Sequence, residues 1–279
     1  MEKECNHDCD NCEEECNERE DNGIKKLVPN ETSSIKKVIG IVSGKGGVGK
    51  SFVTAIIASH LADEGFKVGI LDADITGPSI PKLFGIKKKA LESTFGILPQ
   101  RSVKGIDIMS INLLIPDETD PVVWRGPLLS GAVSQFFTEV VWKDIDYLLV
   151  DMPPGTADVS LTVFQSLPID GIVVVTSPQD LVSMIVGKSL KMAEKLSVPV
   201  LGIVENMSYY ICPNCQNHHH PFGLSKLDEI CSTYHIETRV KLPIMKDYAT
   251  AADLGKIEFL EIPEIDPIIK KIDLLLLNE

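Results

Sequence analysis

The sequence predicts a three-layer α/β/α domain around a mostly parallel central sheet, with a disordered Cys-rich tail in front of it. Three observations lead there. With 279 residues and 44% apolar content, the chain can bury one substantial core. Short β-branched runs alternate with stretches of helical periodicity, the pattern of successive βαβ units. The first of these runs passes through a glycine-rich loop, Gly44 to Ser51, straight into a helical stretch.

Residues 1–34 have almost no apolar side chains, and residues 1–20 hold nine Asp or Glu against two Lys or Arg. Such a segment cannot fold around a core, so 1–34 reads as a flexible acidic tail and 35–279 as the domain. Strands are expected at Val38–Ser43, Lys67–Asp72, Ile106–Ile111, Tyr147–Asp151, Gly171–Thr176, Val200–Glu205 and Thr238–Leu242. Several are apolar throughout, as strands covered on both faces must be. Helices are expected at Lys50–Glu64, Pro127–Trp142, Leu181–Lys195 and Asp247–Leu254. Ile265, Ile268, Ile269, Ile272, Leu275 and Leu276 recur at helical spacing and predict a closing amphipathic helix. Residues 261–279 carry five acidic and two basic side chains, a balance that favours packing over an anionic membrane surface.

The net charge of −13 argues against a nucleic-acid partner, because non-specific affinity for phosphate backbones comes from Lys and Arg. No apolar run approaches the roughly 20 residues of a membrane-spanning helix, and the N-terminus is acidic where a signal peptide would be basic and then apolar. A cytoplasmic protein with no membrane partner is expected. In that reducing compartment the seven cysteines read as thiols or metal ligands.

GKGGVGKS has the strand, loop and helix context of a P-loop, which makes the predicted domain a P-loop NTPase. Gly44, Lys45, Gly46, Gly47, Val48, Gly49, Lys50, Ser51 and Phe52 are the expected contacts for ATP. The glycines let backbone N–H groups converge on phosphate, Lys50 reaches the β and γ phosphates, and Ser51 ligates Mg2+. Lys45 is a second lysine in the loop, at a position where an ordinary P-loop needs no charge. In LDADITGPS, Asp72 and Asp74 are expected on one side of the pleat, with Asp74 positioning or deprotonating the attacking water. Asp151, at the end of YLLVD, reads as the aspartate that holds Mg2+ directly or through water, with Gly155 in a γ-phosphate-sensing turn. Asp72 and Asp151 could also be plain strand-end carboxylates.

ICPNC places Cys212 and Cys215 in a C-x2-C knuckle, followed by His218, His219 and His220. Two thiolates are half a metal site. A symmetric dimer would supply four and hold one [4Fe–4S] cluster between subunits. A single chain could instead add two of the histidines for zinc, or the pair could be a redox dithiol. The histidines fit either a solvated loop or an auxiliary metal site. In the tail, Cys5, Cys9, Cys12 and Cys16 are spaced C-x3-C-x2-C-x3-C and could complete a cluster site within one chain, with zinc as the alternative. The first three match the spacing of radical S-adenosylmethionine enzymes, although no barrel accompanies them. Cys231 reads as a buried thiol.

Together, GKGGVGKS, LDADITGPSIP, WRGP at Trp124–Pro127, DMPPGT, VENMS and CPNC resemble the Mrp/ApbC family of iron–sulfur cluster carrier ATPases, over about residues 35–260. That family lies in the MinD/ParA superfamily, whose P-loop carries the extra lysine. The resemblance implies that Lys45 crosses a homodimer interface to the partner's phosphates and that Asn206 reads the adenine edge. It further implies a labile bridging cluster and delivery of clusters to apo iron–sulfur proteins. The tail resembles the subgroup related to eukaryotic cytosolic cluster scaffolds, but its first and last cysteine gaps differ from that subgroup's. Two other readings stand beside the carrier. A positioning ATPase of the MinD/ParA kind would be expected to have a basic surface or basic terminal helix, which the sequence lacks. A reductase like the nitrogenase iron protein would have its two ligating cysteines far apart in sequence.

Overall fold

In the computed structural model, residues 26–117, 124, 126–155, 158–179 and 181–277 are described. The chain enters at β1 (Ser34–Ser43), turns through the glycine loop into α1 (Lys50–Asp63) and returns as β2 (Val68–Asp72). A short α2 (Ile80–Leu83) leads to a hairpin of β3 (Leu91–Ser93) and β4 (Gly96–Leu98), then to β5 (Gln100–Arg101) and β6 (Asp107–Met109). After α3 (Gly126–Thr138) come β7 (Asp144–Asp151), α4 (Asp158–Ser166), β8 (Gly171–Thr176) and α5 (Leu181–Lys195). The last third comprises β9 (Val200–Ile211), β10 (His218–His219), α6 (Leu227–Thr233), β11 (Arg239–Pro243), α7 (Lys246–Asp253) and α8 (Asp266–Leu277).

The sheet runs β10-β9-β8-β1-β7-β2-β6-β5, with β11 also paired to β9. It is parallel except at β10 against β9 and β5 against β6. The path leaves β1 towards β2 on one side and later crosses to β8 on the other. The C-terminal ends of β1, β7, β2 and β8 therefore bound the crevice where an open α/β sheet binds its ligand.

Alternation along the strands builds two cores. Val38 and Val42 of β1, Leu148 and Val150 of β7, and Ile172 and Val174 of β8 face α3, α4 and α5. Ile39 and Ile41, Tyr147 and Leu149, and Val173 and Val175 face α1 and α8. All twelve are buried, so both faces of the sheet are covered and the expected three layers are present. The predicted closing helix is α8, whose Ile268, Ile269 and Ile272 are buried in the second core. Among the described residues no helix is long and apolar enough to cross a membrane.

All seven expected strands occur, and the departures have local causes. The helix expected at Pro127–Trp142 ends at Thr138 because Glu139–Val141 turns extended to bond with Ile97: Ile97 N donates to Glu139 O and Val141 N to Ile97 O. The strand expected to end at Glu205 continues to Ile211, held by β10 on one side and by Pro243 opposite Tyr209 on the other. The tail boundary at 34 is also displaced, since the docked chain reaches back at least to Lys26. Lys26 Nζ donates to Leu167 O at 2.9 Å, Leu27 N to Ser166 O, and Asn30 Nδ2 to Phe95 O. Cys5, Cys9, Cys12 and Cys16 lie outside the described residues.

Candidate functional site

The loop between β1 and α1 leaves its donors free to face a ligand. Gly47 and Gly49 hold φ of 81° and 85°, a region L-residues seldom enter. A Cβ added at Gly46 or Gly47 would meet nothing within 4 Å, whereas one at Gly49 would lie 2.2 Å from Asn206 Nδ2. The N-terminus of α1 begins at Gly49 without a side-chain cap, so its N–H groups point into the cleft. That cleft, about 300 Å³, is lined by Gly46, Gly47, Gly49, Lys50, Ser51, Phe52, Asp74 and Pro154 among others. Lys50 Nζ is buried and lies 2.8 Å from Asp151 Oδ2, yet no acceptor among the described residues stands in hydrogen-bonding geometry to it. An ion-paired ammonium with unused donors, beside an open glycine cradle, fits a phosphate chain.

The carboxylates divide by depth. Asp151 is fully buried and accepts from Ser51 Oγ at 2.6 Å and from Thr54 Oγ1 at 2.7 Å. The hydroxyl and carboxylate expected to share Mg2+ are therefore in contact, a donor set that fits a hard cation. Asp74 reaches the cleft, with Oδ2 3.8 Å from Lys50 Nζ. Burial pushes its carboxyl above the ordinary range, against the pull of Lys50, and Asp151 adds to the rise. Asp72 points elsewhere: β2 ends at Asp72, so the pleat does not carry on to Asp74. Asp72 accepts from Ser110 Oγ at 3.0 Å, from Ile80 N at the start of α2 and from Asp74 N. It supports the loop that carries Asp74.

Burial, followed by the charge of Asp151, pushes the Asp72 carboxyl up to about 8. The folded protein thus holds a proton that the unfolded chain releases near 3.8. Its stabilising contribution is complete below that value and is lost as pH rises towards 8. We expect Asp72→Asn to flatten the fall of Tm between about pH 5 and pH 8 in metal-free buffer, as followed by calorimetry. A slope equal to wild type would contradict this.

Three residues around the cleft are tied back to the fold. Asn206 Nδ2 donates to Val48 O at 3.0 Å and its Oδ1 accepts from Met207 N, so the residue expected at the adenine edge here clamps the P-loop. Lys45 Nζ donates to Gln179 Oε1 of its own chain. Gly155, at φ 86°, donates its N–H to Ser43 O at 2.8 Å, which joins the turn after Asp151 to the end of β1. Thr54 was not anticipated, although its place one helical turn after Lys50 puts it on the same face. Gln179 carries no motif that could have marked it. In the WRGP segment, Trp124 is partly exposed and Arg125 lies outside the described residues.

The cysteine knuckle caps the β9–β10 hairpin. Gln216 N donates to Cys212 O and Cys212 N to Asn217 O, closing the turn. Cys215 is exposed and Cys212 half-buried. Hydrogen bonds from the backbone N–H groups of Cys215 and Asn214, and from the Cys215 side chain, hold the Cys212 thiol below its ordinary range. Of the three histidines, His218 stacks on Tyr209 with ring centroids 4.6 Å apart, His220 Nδ1 meets Ser208 O at 3.3 Å, and His219 Nε2 lies 4.0 Å from Cys215 Sγ. Cys231 is buried in α6, as expected.

The chain is similar to proteins already known. Residues 34–274 match the ParA family model described as the NUBPL iron-transfer P-loop NTPase. An iron–sulfur cluster carrier protein of Clostridium perfringens is 47% identical over 229 residues, 79% of this chain and 80% of that one. One of Methanocaldococcus jannaschii is 45% identical over 217 residues, 77% and 75% of the two chains. Among solved structures, a nucleotide-binding protein of Archaeoglobus fulgidus in complex with ADP, in which cobalt was found, has a TM-score of 0.75 at 44% identity. That match covers 83% of this chain and 91% of the other. The cell-division ATPase MinD of Pyrococcus furiosus, at TM-score 0.62 and 17% identity, covers 86% and 99% and shares the fold.

Proposed function

The chain belongs to the iron-transfer branch of the ParA family of P-loop NTPases, and from that premise we propose that it is an ATP-hydrolysing iron–sulfur cluster carrier. It assembles [4Fe–4S] clusters as a homodimer and passes them to apoproteins. The observation that carries this reading is the position of Cys212 and Cys215. They sit on the tip of a hairpin, outside both cores, in a chain that also carries a cleft lined by the glycine loop. Structural thiolates are normally closed off; a ligand pair exposed at a tip can meet a second pair, and can release what it holds.

Each residue of the cleft has a role in this reading. Lys50 exchanges its ion pair with Asp151 for the β and γ phosphates, and the N–H groups from Gly46 to Ser51 hold the same oxygens. Mg2+ held by Ser51 and Asp151 would draw charge from the transferring phosphoryl group. Asp74 orients the attacking water, in line with the leaving oxygen. Lys45 leaves Gln179 to reach the partner's phosphates when two chains close on ATP. Dimer closure brings two knuckles together and completes four thiolates around one cluster. The seven cysteines suit a reducing compartment, which we take to be the cytoplasm.

Anaerobic reconstitution with iron and sulfide tests the carrier reading. The expected product is a brown protein whose visible absorbance passes to an apo-dehydratase. With the four tail cysteines replaced by serine, the remaining colour should disappear in Cys212→Ala, Cys215→Ala. Undiminished colour and transfer in that variant would sink the bridging site.

A further inference from the structure

His219 has no part in a cluster held by four cysteines, yet it is placed as a ligand. We infer that Cys212, Cys215 and His219 of a single chain form a three-donor site for one divalent cation of the zinc and ferrous-iron class, with a fourth position open to solvent. The donor atoms all lie within 4.8 Å of one another. This site is a different occupancy of the same knuckle, and it excludes the bridging cluster while it is filled.

Two geometric facts support it independently. The first is the register of the hairpin. His219 pairs with Tyr210 and His218 with Ile211. Because side chains alternate along a strand, Tyr210 and Cys212 share one face with His219, while His218 shares the other with Tyr209 and Ile211. The stack of His218 on Tyr209 follows that alternation and fixes which histidine turns towards the thiols. The second is distance. With metal bonds of about 2.3 Å to sulfur and about 2.05 Å to nitrogen, tetrahedral ligation separates N from S by about 3.6 Å. His219 Nε2 and Cys215 Sγ are 4.0 Å apart, so a small side-chain rotation closes the site.

The chemistry of the donors selects the ion. Two thiolates and an imidazole favour zinc and ferrous iron over Mg2+ or Ca2+, which prefer oxygen. Cys215 and His219 are both exposed, leaving room for water or an incoming ligand in the fourth position. Binding releases protons from the thiols, and the ion is held by three side chains of one hairpin, so the site needs no dimer.

Cobalt(II) reports the coordination directly, through thiolate charge-transfer and visible ligand-field bands. The full chain is used with Cys5, Cys9, Cys12 and Cys16 replaced by serine, so that only the knuckle offers exposed thiols. We expect one cobalt per chain in the monomer fraction, with tetrahedral bands. His219→Gln should weaken binding at least about tenfold and alter the bands, and His218→Gln should do neither. The inference is overturned if cobalt does not bind, if it binds at half an equivalent per chain in a dimer, or if His219→Gln matches the unsubstituted chain. Reconstituting His219→Gln with iron and sulfide separates the two readings, because a normal cluster there leaves the carrier function standing whatever cobalt does.

Discussion

Replacing Lys50 with alanine is expected to lower ATP hydrolysis by about 10² to 10³-fold, the loss typical of removing one preorganised donor to a developing charge. The packing of the cleft makes this residue hard to replace. Asp151 is fully buried, Asp74 is partly so, and Lys50 is the buried cation between them. Without its ammonium, a polyphosphate would enter a cleft of like charge, so binding and turnover should both suffer. Phosphate release at saturating Mg-ATP measures the effect. A variant that keeps more than about a tenth of the wild-type rate would show that Lys50 does not hold the transferring group.

Gly49→Ala should destabilise the protein by about 2 to 5 kcal/mol and abolish nucleotide binding. A left-handed backbone costs an L-residue about 1 to 2 kcal/mol, and a buried polar group deprived of its partner about 1 to 3 kcal/mol more. Both apply here, because the backbone is at φ 85° and the new Cβ would stand 2.2 Å from Asn206 Nδ2. Asn206 would have to release Val48, and the loop would lose the contact that sets its curvature. Gly46→Ala is the control: a Cβ there meets nothing within 4 Å, so its stability should stay near wild type. Urea unfolding compares the pair, and equal midpoints would refute the prediction.

The strands were legible because those buried on both faces must be apolar at every position, and β8, GIVVVT, can hardly be read otherwise. The P-loop was legible because phosphate imposes its glycines and lysine on the sequence. What escaped depends on contacts between distant segments. No local pattern stops α3 at Thr138; Ile97, more than forty residues earlier, does so by claiming Val141. Nor does VENMSYYI announce a strand to Ile211, since its polar residues break the apolar run and its partners lie in β10 and β11. Asn206 was expected at the adenine edge from the resemblance, but the sequence could not say that its amide holds the loop through Val48. For the histidines, register decided what composition left open: neighbours in sequence, they point to opposite sides of a ribbon.

The same ribbon ties the two ends of the molecule's chemistry together. Asn206 and Cys212 belong to one stretch of chain, six positions apart, a span of about 20 Å at the rise of an extended strand. Between them Met207 adopts φ 57° and marks a bend. If phosphate entering the loop shifts Asn206, the strain reaches the thiols along covalent bonds, without help from any intervening side chain. Thermodynamic linkage then runs in both directions: whatever factor ATP applies to metal affinity at the tip, metal applies to ATP affinity at the base. A loaded and an empty carrier would therefore differ in their hold on nucleotide.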